Sequence, residues 1–575
     1  MDQEIKAKVD QWLEGSYDQD TKNEIKRLLQ DNPTEAADSF YKELEFGTGG
    51  LRGIMGVGTN RMNKYTIGMA TQGLANYLKK TVGGQEMKAA IAYDSRNNSD
   101  YFAEVTAKVF AANGIKVYLF DSLRPTPELS FAIRHLGCHT GVVLTASHNP
   151  KEYNGYKAYW ADGGQLVPPH DKNVITEVQQ IHSIEDVKWE GNEDLIEKIS
   201  KEVDEPYLEM LEGNAISPET IKAEKDLKIV FTSIHGTGIV MVPEILKRLG
   251  FENVHVVEEQ KEPNGNFPTV VYPNPEEAEA LSIALKQAKE LDADILLGTD
   301  PDADRVGIAI KNHKGEWVLL NGNQTAALLF NYVIENRKAE GLAKDNDFVC
   351  KTIVTTDLID EFAKQQGMAC YNVLTGFKFI AEVIKEKEGK ENFIIGGEES
   401  YGYLVGDAVR DKDAVASAAM ICEMAAHAKH QGKSLFDQLI DIYVKYGFYK
   451  EKLISITKKG MSGAEEIATM MKELRANPPA SINGSELLEV RDYQSGIAKN
   501  IKTGEETAID LPKSNVLQFF TADGSKISAR PSGTEPKIKF YFSVNAKLDN
   551  KADFDKVDAD LNDRIEGIIA DMKLR

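Results

Sequence analysis

Ala293-Asp294-Ile295-Leu296-Leu297-Gly298-Thr299 runs directly into Asp300-Pro301-Asp302-Ala303-Asp304-Arg305. A short apolar run of this kind reads as a buried strand, and the polar loop that follows it is where open α/β sheets collect ligands. Similar runs recur on both sides: KAAIAYD (88–94), IKVYLF (115–120) and GVVLTAS (141–147) before it, LKIVFTS (227–233) and VHVVEE (254–259) closer to it, and CKTIVTT (350–356) and NFIIGGEES (392–400) after it. Longer helical stretches separate them. The alternation predicts α/β units on largely parallel sheets.

The pattern restarts twice. A charged stretch over 183–222 separates the first set from the second, and a helical segment, NQTAALLFNYVIENRK (323–338), opens the third. After about residue 445 the texture changes to KLISITKKG (452–460), NVLQFFTADG (515–524), KISARPS (526–532) and KIKFYFSV (537–544), followed by an amphipathic helix. An antiparallel sheet in an α+β domain is the expectation. The reading is four domains: three similar α/β domains over 1–210, 211–322 and 323–445, and an α+β domain over 446–575. The first forty or so residues read as amphipathic helix whose Trp12, Ile25, Leu28 and Leu29 pack on the body.

A chain of 575 residues exceeds what one core supports, and 42% apolar with 27% charged residues is ordinary for globular protein. A net charge of −22 repels nucleic-acid phosphates and anionic lipid, so neither is expected as a partner. An anionic substrate must then be captured by local clusters of Lys, Arg and backbone N–H groups. Cys138, Cys350, Cys370 and Cys422 form no CxxC pair and show no zinc spacing. With no apolar leader and no long apolar run, a reduced cytoplasm is the expected home.

Four loops carry candidate chemistry. In Thr145-Ala146-Ser147-His148-Asn149-Pro150 a serine leaves an apolar strand among polar donors and is stopped by proline, which suits a nucleophile or phosphate carrier; a plain Ser/Asn turn is the bland alternative. The three aspartates of 300–304 would repel one another without a cation, and hard oxygen ligands select magnesium or calcium. An EF-hand is excluded, since Arg305 and Lys311 stand where that loop needs Gly and Glu. Glu398-Glu399-Ser400-Tyr401-Gly402 suits vicinal sugar hydroxyls or plain solvent exposure. Arg530-Pro531-Ser532-Gly533-Thr534-Glu535-Pro536-Lys537 offers hydroxyls, backbone N–H groups and two cations, an anion cradle. The glycine-rich Phe46-Gly47-Thr48-Gly49-Gly50-Leu51-Arg52-Gly53 matches no nucleotide-binding pattern, and His235 in IHGTG has no assigned role.

In this order, TASHNP with Lys157 downstream in YNGYK, GTDPDADR, GEESYG and RPSGTEPK resemble the four signature loops of the α-D-phosphohexomutases, over almost the whole chain. FGTGGLRG, TGFK and RPSGTEPKIKFY look like the phosphoglucomutase and phosphopentomutase branch. The resemblance implies a four-domain, heart-shaped molecule around a cleft. It implies a magnesium-dependent mutase in which Ser147 is the phosphoserine, Asp300, Asp302 and Asp304 hold Mg²⁺, and a phosphate oxygen on Ser147 completes the set. Arg52, His148, Lys157, Arg305 and Lys378 would surround the transferring group, with Lys157 or His148 as general base. Glu398 and Ser400 would meet sugar hydroxyls, while Arg530, Ser532, Gly533, Thr534 and Lys537 would take the second phosphate. A hexose 1,6-bisphosphate would be the intermediate and activator, and a small sugar phosphate the substrate. Phosphomannomutase or phosphopentomutase activity, a phosphatase, and an idle phosphosugar-binding protein are the competing readings.

Overall fold

The computed structural model describes residues 2–47, 49–458, 460–532 and 537–574. The chain divides into two compact units: residues 1–322, 377–396 and 400–432 form the first, and residues 323–376, 397–399 and 433–575 the second.

The first unit begins with a sheet in the order Gly50–Ile54, Tyr153–Trp160, Thr140–Leu144, Lys88–Tyr93, Lys116–Phe120, Ile196–Ile199. The last four strands run parallel, and three of them are the apolar runs at 88–94, 115–120 and 141–147. Alternate residues on a strand face opposite sides, so Ala89 and Ile91 pack with Leu74, Leu78, Phe102 and Phe110, from helices Lys64–Val82 and Ser99–Ala112. Ala90 and Ala92 pack with Leu129, Ile133 and Val203, from helices Thr126–His135 and Lys201–Gly213. Burial on both faces is why these strands lack polar alternation. The charged 183–222 stretch is more than a separator, because it holds the edge strand Ile196–Ile199.

A second sheet runs Trp317–Leu319, Val306–Lys311, Ile295–Thr299, Ile229–Thr232, Val254–Val256. Ile295–Thr299 is parallel to Ile229–Thr232 but antiparallel to Val306–Lys311, with Thr299 opposite Val306. The acidic loop 300–305 is therefore a hairpin connection and not a strand-to-helix turn. Its strand register holds both ends of the loop.

The N-terminal region is three helices, Gln3–Glu14, Gln19–Asp31 and Pro33–Phe40, where the amphipathic pattern reads as helix without marking the breaks. Asp18 and Asn32 cap the second and third by accepting from Thr21 and Glu35 N–H groups, and Pro33 takes the first helical position. Trp12, Ile25, Phe40 and Tyr65 form a buried cluster with Leu29 at its margin.

In the second unit, Asp347–Thr352 and Ala369–Val373 pair in parallel around helix Leu358–Gln366. The C-terminal sheet is antiparallel in the order Phe448–Thr457, Lys537–Ala546, Lys526–Pro531, Leu517–Thr521, Ser485–Asp492, Ile497–Asn500, Glu506–Ala508. Helix Phe554–Asp571 packs against Lys537–Ala546. The expectation of an antiparallel sheet closed by an amphipathic helix holds.

Candidate active site

Ser147 leaves the fully buried strand Thr140–Leu144 with φ of 52°, a left-handed backbone that costs a non-glycine residue energy and needs support from outside. That support is visible. The Ser147 N–H donates to Thr145 Oγ1 at 2.8 Å, whose hydroxyl donates to Asp94 at 2.6 Å. Buried Arg96 lies 3.3 Å from the same carboxylate and donates to the carbonyls of Ser147 (2.6 Å), Pro150 (2.8 Å) and Tyr153 (3.0 Å), and to that of Asn149. A planar guanidinium offers several donors in fixed directions, so one side chain can gather a whole loop.

The loop delivers Ser147 Oγ to Asp300, donating to Oδ2 at 2.7 Å, with His148 Nδ1 3.2 Å away. Asp300 Oδ1 accepts the N–H groups of Asp304 (3.1 Å) and Arg305 (3.0 Å), which closes the hairpin on itself. Lys157, on the strand antiparallel to the serine strand and opposite Val143, donates to Asp302 at 2.7 Å and Asp304 at 2.9 Å. Thr126 donates to Asp302 at 2.8 Å, and Lys412 lies 3.2 Å from Asp304 and 3.1 Å from Asp411.

Asp300, Asp302 and Asp304 are buried, and one oxygen of each falls within 4.8 Å of the others. Burial, then repulsion from Asp302 and Asp304, pushes the Asp300 carboxyl well above its usual range. Burial raises Asp304 too, but the ammonium groups of Lys157 and Lys412 overcome it and hold that carboxyl well below normal. Asp302 Oδ1 and Asp304 Oδ1 are buried without a hydrogen-bond partner. Lone carboxylate oxygens in a low-dielectric site, all hard donors, fit a divalent cation such as Mg²⁺ or Ca²⁺.

Burial tends to lower the Lys157 pKa, yet Asp302 and Asp304 raise it overall. The lowered value that a lysine base needs is therefore absent while those carboxylates are its partners. Arg52, exposed on the edge strand, donates to Asn149 Oδ1 at 3.2 Å. Arg305 forms an ion pair with Glu276 at 2.6 Å. Lys378 sits on helix Phe377–Lys387 over the ring of Phe379; burial lowers its pKa, which the charges of Asp171 and Glu382 oppose. Tyr401, next to Ser400, has φ of 68° and accepts the Val306 N–H at 3.0 Å, just past the acidic hairpin.

In the second unit, Glu398 accepts the Gly376 N–H at 2.9 Å, and Glu399 accepts from Thr352 (3.0 Å) and Thr355 (3.1 Å). Arg530 is the next-to-last residue of the strand Lys526–Pro531, and the Ser532 N–H donates to the Lys537 carbonyl at 2.7 Å. Buried Tyr541 responds to both groups: burial and then Glu399 raise its pKa, which Arg530 opposes. Gly533 and Thr534 lie outside the described residues.

Arg96, Asp94, Thr126, Lys412 and Tyr541 escaped the sequence reading. Arg96 had a signal, since it closely follows the apolar run ending at Asp94. Lys412 had none, because only the fold carries it to Asp304.

The description "Phosphoglucomutase/phosphomannomutase, alpha/beta/alpha domain" matches as domain I over residues 43–185, domain II over 205–315 and domain III over 321–446. A phosphoglucomutase of Staphylococcus haemolyticus is 39% identical over 92% of this chain and 94% of its own length. One from Staphylococcus aureus is 39% identical over 93% of this chain and 94% of its own. In fold, the chain is similar to a phosphoglucomutase/phosphomannomutase family protein of Burkholderia thailandensis (TM-score 0.64, 17% identity, 92% of this chain and 98% of that one). It is also similar to the open form of parafusin, a phosphoglucomutase of Paramecium (TM-score 0.65, 18% identity, 92% and 96%).

Proposed function

The chain belongs to the phosphoglucomutase/phosphomannomutase family of α-D-phosphohexomutases, and on that premise we propose that it interconverts glucose 1-phosphate and glucose 6-phosphate through a phosphorylated Ser147. The observation that carries this reading is Ser147 Oγ held 2.7 Å from one of three buried carboxylates that converge on a cation-sized space.

Phosphoryl transfer asks for alignment and charge neutralisation more than for covalent chemistry from the protein. Asp300, Asp302 and Asp304 would hold Mg²⁺ together with an oxygen of the Ser147 phosphate, and the cation supplies charge neutralisation at the phosphoryl oxygens. The bond from phosphorus to Ser147 Oγ breaks as a bond to a free sugar hydroxyl forms; the hydroxyl proton passes to a base on the protein, the freed Ser147 Oγ takes up a proton, and both transfers reverse in the second step. A hexose 1,6-bisphosphate results. It turns end for end, its other phosphate moves to Ser147 Oγ, and the isomer leaves.

Lys157 and His148 both reach the reacting serine's surroundings. His148 Nδ1 lies 3.2 Å from Oγ. Asp302 and Asp304 raise the Lys157 pKa; were those carboxylates to hold a cation instead, burial would favour the neutral amine that a base needs. Arg52, Arg305 and Lys378 supply positive charge for the transferring group, each to its own degree. Glu398 and Ser400 read sugar hydroxyls. Arg530, Ser532 and Lys537, with Gly533 and Thr534, receive the phosphate that is not being transferred. Two anion sites are what a mutase requires and a phosphatase does not. The names of the relatives support glucose over mannose or pentose, and a reduced cytoplasm suits the four unpaired cysteines.

Intact-mass measurement before and after adding glucose 1,6-bisphosphate tests the reading. The wild type should gain one phosphate, and Ser147→Ala should neither gain it nor isomerise the sugar. Isomerisation by Ser147→Ala would end the proposal. Turnover of mannose 1-phosphate or ribose 1-phosphate above that of glucose 1-phosphate would reassign the sugar.

A further inference from the structure

The IHGTG turn, residues 234–238, lies against the acidic hairpin and at the root of the long connection 258–281. Ile234 and His235 both take left-handed backbone, with φ of 47° and 60°. The Thr237 N–H donates to the Pro301 carbonyl at 2.8 Å, in the middle of the aspartate loop. Gly236 is so close to that loop that a Cβ would stand 2.4 Å from Pro301 Cα.

His235 is buried and saturated. Its N–H donates to the Gln260 carbonyl (2.9 Å), and its carbonyl accepts the Asn264 N–H (3.1 Å). Nδ1 faces the Glu262 carbonyl at 3.1 Å, which can only accept, so Nδ1 carries the proton and Nε2 accepts from Thr269 Oγ1 at 2.9 Å. Thr269 Oγ1 in turn accepts from Gln260 Nε2 (3.0 Å), and Gln260 Oε1 accepts from Thr232 Oγ1 (2.7 Å). Every donor in the chain points the same way. Burial lowers the His235 pKa, which keeps the ring neutral.

What this ring pins reaches both halves of the transfer chemistry. Phe267, with φ of 44°, lies on the connection between Glu262 and Thr269, and the Arg96 guanidinium sits 5.1 Å from the centre of its ring. Arg96 is the side chain that gathers the carbonyls of the Ser147 loop. Further along the same connection, Glu276 pairs with Arg305. The connection thus holds one cation behind the serine and another beside the aspartates.

We infer that His235 is a positioning residue: it fastens the 258–281 connection so that Phe267 seats Arg96 and Glu276 seats Arg305, aligning the serine loop with the aspartate hairpin. The inference rests on the phosphoryl-transfer reading above for its consequence, but its geometry stands without it. A neutral ring with both nitrogens engaged inside the protein has no proton to exchange with substrate.

Thr269→Val removes the hydroxyl that His235 Nε2 needs at nearly constant volume, and Phe267→Leu removes the aromatic face under Arg96. In both, amide hydrogen exchange over residues 145–154 should accelerate while strand Ile229–Thr232 keeps its protection. Loosening of the reacting groups should lower kcat by about tenfold, with KM for glucose 1-phosphate nearly unchanged. His235→Asn, which keeps the bond to Glu262 and tolerates left-handed backbone, should lose less than His235→Leu. The pH–rate profile should fall in height and keep its shape in every variant. Unchanged exchange at 145–154 with unchanged kcat in both Thr269→Val and Phe267→Leu would overturn the inference, and so would loss of one limb of the profile in His235→Asn. A wild type that transfers no phosphate would remove the functional reading and leave the exchange result to judge the positioning.

Discussion

Replacing Gly236 by alanine tests whether the aspartate hairpin is set by what lies behind it. The added Cβ would meet Pro301 Cα at 2.4 Å and its carbonyl oxygen at 2.7 Å, where ordinary contact begins at 3.4 Å. Pro301 therefore has to retreat by about 1 Å, or the turn must move the other way; both groups are backbone and neither can rotate aside. Asp300 and Asp302 flank Pro301, so the carboxylates move with it. A displacement of about 1 Å in a reacting constellation costs on the order of 10²-fold in rate. Overpacking of a tight site costs about 1 to 3 kcal/mol of stability. Gly213→Ala is the control, since a Cβ there meets nothing within 4 Å. Steady-state mutase assays at saturating Mg²⁺, with urea unfolding of both variants, make the measurement. The expected result is a large loss of kcat and a raised metal requirement in Gly236→Ala, with Gly213→Ala like wild type. If Gly236→Ala retained kcat within about threefold, the hairpin would be shown to tolerate displacement and the reasoning would fail.

Lys157→Met should destabilise the metal-free protein by about 3 to 5 kcal/mol, because it leaves Asp302 and Asp304 short of a buried cation. Added Mg²⁺ should restore much of that loss by binding the folded state, and melting curves with and without metal would show it; equal shifts in wild type and variant would count against a shared site. Asp413 is fully buried and its carboxyl is raised from 3.8 to about 6 by burial, despite bonds from Ala416 N–H and Tyr207 OH. A raised acid contributes its full stability below pH 4 and loses it as pH climbs through 6, a fall of about 3 kcal/mol. Asp413→Asn should remove that part of the slope in urea unfolding measured from pH 4 to pH 7, and parallel curves for the two proteins would refute the assignment.

How much of the site could be read in advance follows the range of each interaction. The serine loop, the three aspartates and the Arg530–Lys537 stretch are local: strand, turn and side-chain types lie within a few residues of sequence. Gly533 and Thr534 remain known by sequence alone. Arg96 acts on carbonyls some fifty residues away, Thr126 on Asp302 and Lys412 on Asp304, and none has a neighbour in sequence that announces its partner.

Sequence by itself determined the α/β class and the change to an antiparallel C-terminal sheet, and it singled out Ser147 and the three aspartates as candidates, because apolar periodicity and side-chain chemistry are properties of short segments. Tertiary structure decided that the aspartate loop is a hairpin, that Lys157 stands charged against two carboxylates, and that His235 braces both loops. Those outcomes depend on strand pairing and burial, which bring distant residues within 3 Å and set the dielectric in which their charges compete.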